Sequence, residues 1–319
     1  MIEAKHLSKS YGKTEAIRDL SFRIEKGEVA GFLGPNGAGK TTTLNILTGC
    51  LAPGAGEVLI DGIDLYLEPV KAKKKMGYLP ETPPLYPDMT VGEFLRFVAA
   101  AKGFRGGAAE KELIHAMRVT GTAGVERKLI RTLSKGFRQR VGIAQAILGD
   151  PEIVILDEPT AGLDPQQIVE IRKLVRSLGK EHTVLFSSHI LSEVREVCDR
   201  VLILSRGRLA ADDSAEALEE RTGEKHLLLR VRAEGEKAEA AARRVEGIRE
   251  VSSEEEGNGI LRLRLAYDGS DETAEKLFAA FADRSLPILG MEKEKTSLEE
   301  VFLELTGGET DGAEKEEEA

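Results

Sequence analysis

Cysteine is nearly absent from this chain. Cys50 and Cys198 are its only two, too few for a disulfide framework or a four-ligand zinc site. Long apolar runs are missing as well; none approaches the ~18 residues that cross a bilayer. The opening Met1-Ile2-Glu3-Ala4-Lys5-His6 lacks the basic-then-apolar pattern of a secretory signal. Nor is there an excess of positive charge, since 55 Asp and Glu outnumber 45 Lys and Arg, for a net charge of −10. These absences predict a cytosolic, reduced chain without structural metal, and one that does not grip nucleic-acid phosphates. The two cysteines read as packing residues. What the chain does have is core. Its 319 residues are 41% hydrophobic and 31% charged, the balance of about two globular domains.

Residues 1–210 read as one α/β unit. Val29-Ala30-Gly31-Phe32-Leu33, Ile153–Leu156, Thr183–Phe186 and Val201–Leu204 are continuous apolar β-type runs separated by helical stretches. Strands buried on both faces of a largely parallel sheet have this pattern. The segment before Lys26 and the stretch Gly56–Asp61 read as short antiparallel strands. From about Thr90 to Ile147 the pattern is mainly helical, with loops expected at Gly103–Gly107 and near Gly121–Gly124.

Residues 211–307 change character. Leu227, Leu229 and Val231 alternate with Leu228, Arg230 and Arg232, as in a half-buried strand. A helix near Glu236–Val245, two strands flanking Gly257-Asn258-Gly259, a helix near Asp271–Ala282 and a strand near Pro287–Glu292 give a β-α-β-β-α-β order. That order suggests a small α+β, ferredoxin-like accessory domain, and it carries no catalytic constellation. A last helix is signalled by Ser297 and Glu300 as a capping box, by Leu298, Val301, Phe302 and Leu305 as an apolar stripe, and by Gly307 as its stop. Residues 308–319 read as a disordered acidic tail. There Glu309, Asp311, Glu314, Glu316, Glu317 and Glu318 outnumber one cation, Lys315.

The chemistry concentrates in the first unit. Gly34-Pro35-Asn36-Gly37-Ala38-Gly39-Lys40-Thr41 follows an apolar strand and opens a helix pattern. Glycines let such a loop curl so that its backbone N–H groups meet phosphate oxygens at the positive end of a helix dipole. Lys40 would neutralise the β/γ-phosphates, and the Thr41 hydroxyl, with Thr42 beside it, would face Mg²⁺. Asp157-Glu158 ends the run Ile153–Leu156. A carboxylate there needs a nearby cation to offset its desolvation. Adjacent side chains of a strand point to opposite sides, so Asp157 can serve the metal while Glu158 polarises water.

Further along, Leu133-Ser134-Lys135-Gly136-Phe137 starts a helix, Gly162-Leu163-Asp164 follows the two acids, and His189 ends the strand at Thr183. Taken alone, Ser134 is an ordinary helix cap and His189 a structural histidine. Their order changes the reading. Tyr11, the phosphate loop, Gly-Tyr-Leu-Pro-Glu at 77–81, Leu-Ser-Lys-Gly-Phe, Asp-Glu, Gly-Leu-Asp and His189 together closely resemble the nucleotide-binding subunits of ABC transporters. The resemblance spans residues 2 to about 210.

It implies a P-loop NTPase of the ABC type, with an antiparallel β subdomain and a helical subdomain. It also implies two ATP molecules sandwiched in a head-to-tail dimer, expected to be a homodimer. Each ATP would lie between one subunit's loop (Gly34 to Thr42) and Ser134 and Gly136 of the other. Tyr11 would stack on adenine, His189 would contact the γ-phosphate, Asp164 would bridge the sites, and Thr41, Asp157 and Glu81 would serve Mg²⁺. The wording Gly-Tyr-Leu-Pro-Glu and the C-terminal module are most similar to ATPases of small export permeases, including the gliding-motility type. The implied function is ATP hydrolysis that drives a separate membrane permease from the inner face of the cell membrane. The competing class, soluble ABC ATPases of ribosomes or DNA, often shows paired nucleotide units, coiled-coil arms or basic segments. The usual signature is Leu-Ser-Gly-Gly-Gln, whereas Lys135 and Phe137 stand here, and position 81 is usually Gln. Pro83–Pro87 and Met89, with Phe94, Phe97 and Val98 on the next helix, read as the surface facing the permease.

Overall fold

The computed structural model describes residues 1–221, 225–294 and 297–307. They form two compact units. One is Met1–Ala215 with the described residues from Leu305, and the other is Glu216–Glu304. The predicted acidic tail lies outside the described residues.

In the first unit, β1 (Ile2–Tyr11) and β2 (Thr14–Ile24) make a hairpin, and β3 (Val29–Leu33) leads through the glycine loop into α1 (Lys40–Leu47). Next come β4 (Ala55–Ile60), β5 (Ile63–Asp64), α2 (Pro69–Lys74) and β6 (Met76–Leu79). Three helices follow, α3 (Val91–Ala101), α4 (Gly106–Thr120) and α5 (Lys135–Ile147). The unit's main chain then runs through β7 (Ile153–Leu156), α6 (Pro165–Leu178), β8 (Thr183–Ser188), α7 (Leu191–Val197), β9 (Arg200–Ser205) and β10 (Arg208–Asp213).

Two sheets result. The antiparallel sheet has the order β2-β1-β4-β5, and the second sheet has the order β10-β9-β3-β8-β7-β6. In the second, β9, β3, β8, β7 and β6 are parallel neighbours, and β10 is an antiparallel edge. The parallel strands are buried on both faces, which explains their unbroken apolar runs. Strands β1 and β2 are longer than expected, at 10 and 11 residues. Register shifts in their pairing, with His6 and Asp19 at positive φ, let polar residues interrupt the alternation and hide the strand length. Helix α4 takes in Gly106 and Gly107, so the expected loop is shorter.

One core joins the two sheets. Ile2, Leu7, Leu20 and Phe22 of the antiparallel sheet meet Ala30, Phe32, Ile153, Ile155 and Leu185 of the parallel sheet, with Leu44, Ile46 and Leu47 of α1 in the same cluster. The Phe22 and Phe32 rings lie 5.8 Å apart. Burying each such side chain contributes about 1.5–3 kcal/mol, so α1, and the loop it anchors, is fixed from both sides.

The division between the units falls after Ala215 and not at 210, because β10 pairs with β9 and completes the first unit's sheet. Helix α8 (Ala215–Arg221) straddles it. In the second unit, β11 (Lys225–Arg232), α9 (Gly235–Ala242), β12 (Ile248–Gly257), β13 (Ile260–Tyr267), α10 (Asp271–Ala282) and β14 (Ile288–Glu294) follow the β-α-β-β-α-β order. The sheet order is β12-β13-β11-β14, all antiparallel. Leu227, Leu229 and Val231 stand opposite Leu265, Leu263 and Leu261, under Ala238, Leu277 and Phe281 of the two helices. The β12–β13 turn places Asn258 and Gly259 at positive φ, the geometry a tight hairpin demands. Helix α11 (Leu298–Thr306) starts at a reciprocal box: Glu300 N–H donates to Ser297 Oγ, and Ser297 N–H donates to the Glu300 carboxylate. Among the described residues no helix is long and apolar enough to cross a membrane.

Candidate nucleotide site

Parallel strands deliver their following loops to one edge of the sheet, and ligands of open α/β sheets bind there. Here β3, β8, β7 and β6 are successive neighbours. The residues after them are the glycine loop, His189, Asp157-Glu158 and Glu81. These line one cleft of about 470 Å³, together with Tyr11, Ala16, Thr41, Thr42 and Ala161.

The loop closes tightly on its own scaffold. Gly39 sits at φ 102°, and a Cβ there would lie 2.7 Å from the carbonyl oxygen of Ala16. A Cβ at Gly34 would meet Leu204 O at the same distance. Only glycine serves at either position. Gly37 is also at positive φ, whereas Pro35, Asn36 and Ala38 complete the turn. Lys40 is buried, and its ammonium donates to Gly34 O at 2.5 Å. Burial pulls its pKa below the ordinary lysine value, while Glu158, Asp157 and Glu81 act in the opposite direction.

Asp157 is buried at the end of β7 and accepts a 2.6 Å hydrogen bond from Ser187 Oγ. Burial raises its pKa; the Ser187 bond opposes this, Glu158 and Glu81 add to it, and Lys40 lowers it. A cation beside this carboxyl would favour its ionised form. Glu158 has φ 45°, and its N–H donates to Ser187 Oγ at 3.0 Å. Its Oε2 lies 2.8 Å from His189 Nδ1. An ionised carboxylate only accepts, so this pairing puts the imidazole proton on Nδ1.

The donors that could hold a metal are the Thr41 hydroxyl and the Glu81 and Asp157 carboxylates, all hard oxygens. Among the described residues no three His, Cys, Asp or Glu side chains form a metal cage. Open oxygen donors beside a phosphate loop suit Mg²⁺, which takes one or two carboxylates and completes its shell from phosphate and water.

Three predicted residues lie elsewhere. Ser134 caps α5, accepting from Phe137 N–H at 3.3 Å. With Gly136, Phe137, Arg140, Gln167 and Glu170 it lines a second cleft of about 260 Å³, which shares no lining residue with the first. Gln167 packs over Gly136, and a Cβ there would fall 2.5 Å from Gln167 Oε1, so that side chain would have to move aside. Asp164 lines neither cleft and caps α6, accepting from Gln167 N–H at 2.9 Å. Ala16 and Ala161 also line the cleft, but their small side chains give no chemical signal in sequence; nor does Ser187, which ties Asp157 to the Glu158 backbone.

A third cleft of about 370 Å³ meets the first through Glu81 and Ala161 and is lined by Thr82, Pro83, Leu85, Pro87, Arg131, Lys135 and Arg138. Near it Tyr86 and Phe97 are half exposed, their rings edge-on at 5.5 Å. Phe94, expected to share that surface, is buried.

The chain is similar to known proteins over most of its length. A family described as "ABC transporter" matches residues 17–161, and an AAA domain family matches 129–195. The linearmycin resistance ATP-binding protein LnrL of Bacillus subtilis is 32% identical over 96% of this chain and 98% of its own length. The bacitracin transport ATP-binding protein BcrA of Bacillus licheniformis is 33% identical over 98% of this chain and 99% of its own. The dimeric structure of MJ0796, a bacterial ABC transporter cassette, superposes with a TM-score of 0.62 at 28% identity, covering 67% of this chain and 98% of that one. A post-hydrolysis dimer of the same cassette, bound to ADP and Pi, matches with the same score. With phosphate loop, acids and histidine gathered at one sheet edge, and relatives matched along nearly their full length, the chain belongs to the ATP-binding, ATP-hydrolysing subunits of ABC transporters.

Proposed function

We propose that two copies of this chain close head to tail around two ATP molecules and that hydrolysis reopens them, driving a separate membrane permease. The observation that carries this reading is the separation of the two clefts. Lys40, Asp157, Glu158 and His189 share one, and Ser134 and Gly136 line another. A second copy would bring its Ser134 cleft to the first copy's loop and complete the site.

In each site the backbone N–H groups from Gly34 to Thr42 and the Lys40 ammonium hold the β- and γ-phosphates, and Tyr11 stacks on adenine. Thr41, Asp157 and Glu81 hold Mg²⁺, which when bound supplies positive charge to the phosphate oxygens. Glu158 accepts a proton from water as the water oxygen bonds to the γ-phosphorus. The bond from that phosphorus to the β,γ-bridging oxygen breaks, and ADP and inorganic phosphate leave. His189, hydrogen-bonded to Glu158 through Nδ1, aims the carboxylate, and its Nε2 meets the γ-phosphate when that nitrogen also carries a proton. Asp164 couples the two sites across the dimer.

The third cleft, with Tyr86 and Phe97, is the permease dock, and Glu81 is its shared wall with the nucleotide. Export is the direction, supported by relatives named for linearmycin resistance and bacitracin transport; a compound is resisted by carrying it away. The chain then works in the cytoplasm at the inner face of the membrane and binds no nucleic acid. Purification from native membranes, with identification of the co-purifying chain and turnover measured with and without it, tests this. A permease that stimulates turnover is expected. Enrichment on ribosomes instead would overturn the reading.

A further inference from the structure

Glu193 is the one fully buried carboxylate in the described chain that the chemistry above leaves unused. It lies on α7, one turn beyond His189. Its Oε2 accepts from Thr160 Oγ1 at 2.7 Å and from Ser188 Oγ at 2.8 Å. Ser188 Oγ in turn accepts from Ile190 N–H at 3.0 Å. The other oxygen, Oε1, has no hydrogen-bond partner. Arg172 Nη2 stands 3.9 Å from it, while Arg172 Nη1 is held at 2.7 Å by Glu196.

Packing alone does not call for a charge here. A carboxylate removed from water is unfavourable unless fully compensated, and this one is hydrogen-bonded on one oxygen only, with the Arg172 cation 3.9 Å from the other. What it gains is position. Thr160 is two residues past Glu158, and Ser188 immediately precedes His189. A single oxygen therefore ties the two segments whose side chains form the Glu158–His189 pair, contributed by β7 and β8. A carboxylate accepts both hydroxyl protons, which leaves the Ser188 lone pair to fix the turn at Ile190. Ser187 makes an independent tie on the other side, through Asp157 and the Glu158 N–H.

We infer that Glu193 is a positioning residue for hydrolysis, a clamp that holds Glu158 and His189 in hydrogen-bonding register. This rests on the reading of Glu158 as the base. A small displacement of a positioned catalytic group costs rate far more than substrate binding.

The test is Glu193→Leu in the full-length protein. Leucine has similar bulk and no acceptor, so the ties from Thr160 and Ser188 are both lost. Turnover should fall about tenfold or more, with ATP affinity and thermal midpoint close to wild type. The His189 ring ¹⁵N resonances should shift from the Nδ1-protonated tautomer toward the other. Should that variant fail to fold, Thr160→Val and Ser188→Ala carry the test. Each should lower kcat by a few fold, and their combination should bring the same His189 shift. Wild-type kcat with unchanged His189 resonances overturns the clamp, as does a loss of rate matched by equal losses of ATP binding and thermal midpoint. Glu158→Gln separates the two ideas: if it hydrolyses ATP at the wild-type rate, the underlying assignment fails, whatever Glu193 does.

Discussion

His189 Nδ1 and Glu158 Oε2 stand 2.8 Å apart, yet the two residues are 31 positions apart in sequence. Both line the first cleft, and the proposed reaction has Glu158 activate the attacking water there. Glu158→Gln keeps the size and removes the carboxylate proposed as the base. Turnover should drop ~10²-fold or more, ATP should still bind, and the closed dimer should accumulate. Size-exclusion chromatography with Mg-ATP reads the dimer. Hydrolysis at the wild-type rate would remove Glu158 from its role.

Glu81 lies close enough to Lys40 and Asp157 to act on the charge of both. A carboxylate is a harder ligand for Mg²⁺ than the amide common at this position. Glu81→Gln should therefore raise the Mg²⁺ concentration for half-maximal activity several-fold, by loss of one charged contact. Metal-free ATP binding should stay the same or improve slightly. Superimposable Mg²⁺ titrations would dispose of this role.

The Tyr86 ring leans edge-on against both Phe94 and Phe97 while half its surface faces outward. An aromatic cluster exposed beside a groove is an expected partner site. Tyr86→Asp should reduce recovery of the protein with membranes by about tenfold, the loss of one well-placed apolar anchor. ATP affinity should not change. Undiminished recovery would exclude this face as the dock.

Lys102, at the end of α3, donates to Leu148 O at 2.6 Å and to Gln145 O and Ala146 O at 3.2 Å, closing the C-terminus of α5. Burial lowers its pKa to about 8 against the slight opposition of Glu112. Between that value and the ordinary 10.5 the unfolded chain binds the proton more tightly, so stability rises with pH across the window and is lost as pH falls through 8. Because Lys102 is more than a third exposed, solvent screening should hold the stability change to ~1 kcal/mol. Lys102→Met should flatten this part of the pH dependence, as read from urea midpoints between pH 7 and 10.5. Identical slopes in the two proteins would contradict it.

The phosphate loop was legible because its spacing, preceding strand and following helix all agree. The parallel strands were legible because burial on both faces leaves uninterrupted apolar runs. Less could be read where geometry overrides pattern. The bulged hairpin at His6 and Asp19 looked like shorter strands, and Phe94 turned inward although its neighbours Tyr86 and Phe97 did not. The ties from Ser187 and Glu193 were not legible at all. They join hydroxyls to carboxylates across 30 and 33 residues in the cases of Asp157–Ser187 and Thr160–Glu193, and a serine or threonine in sequence does not disclose which partner the fold will bring.

The left-handed backbone at Glu158 has an evolutionary consequence. At φ 45° a residue with a full side chain is strained by about 1 kcal/mol or more, whereas Gly or Asn would sit there with less strain. Selection for a more robust fold and selection for turnover thus pull this position in opposite directions. In a lineage that stopped needing the pump, Glu158 should be among the first residues to drift, and the idle descendant should melt later than its working ancestor.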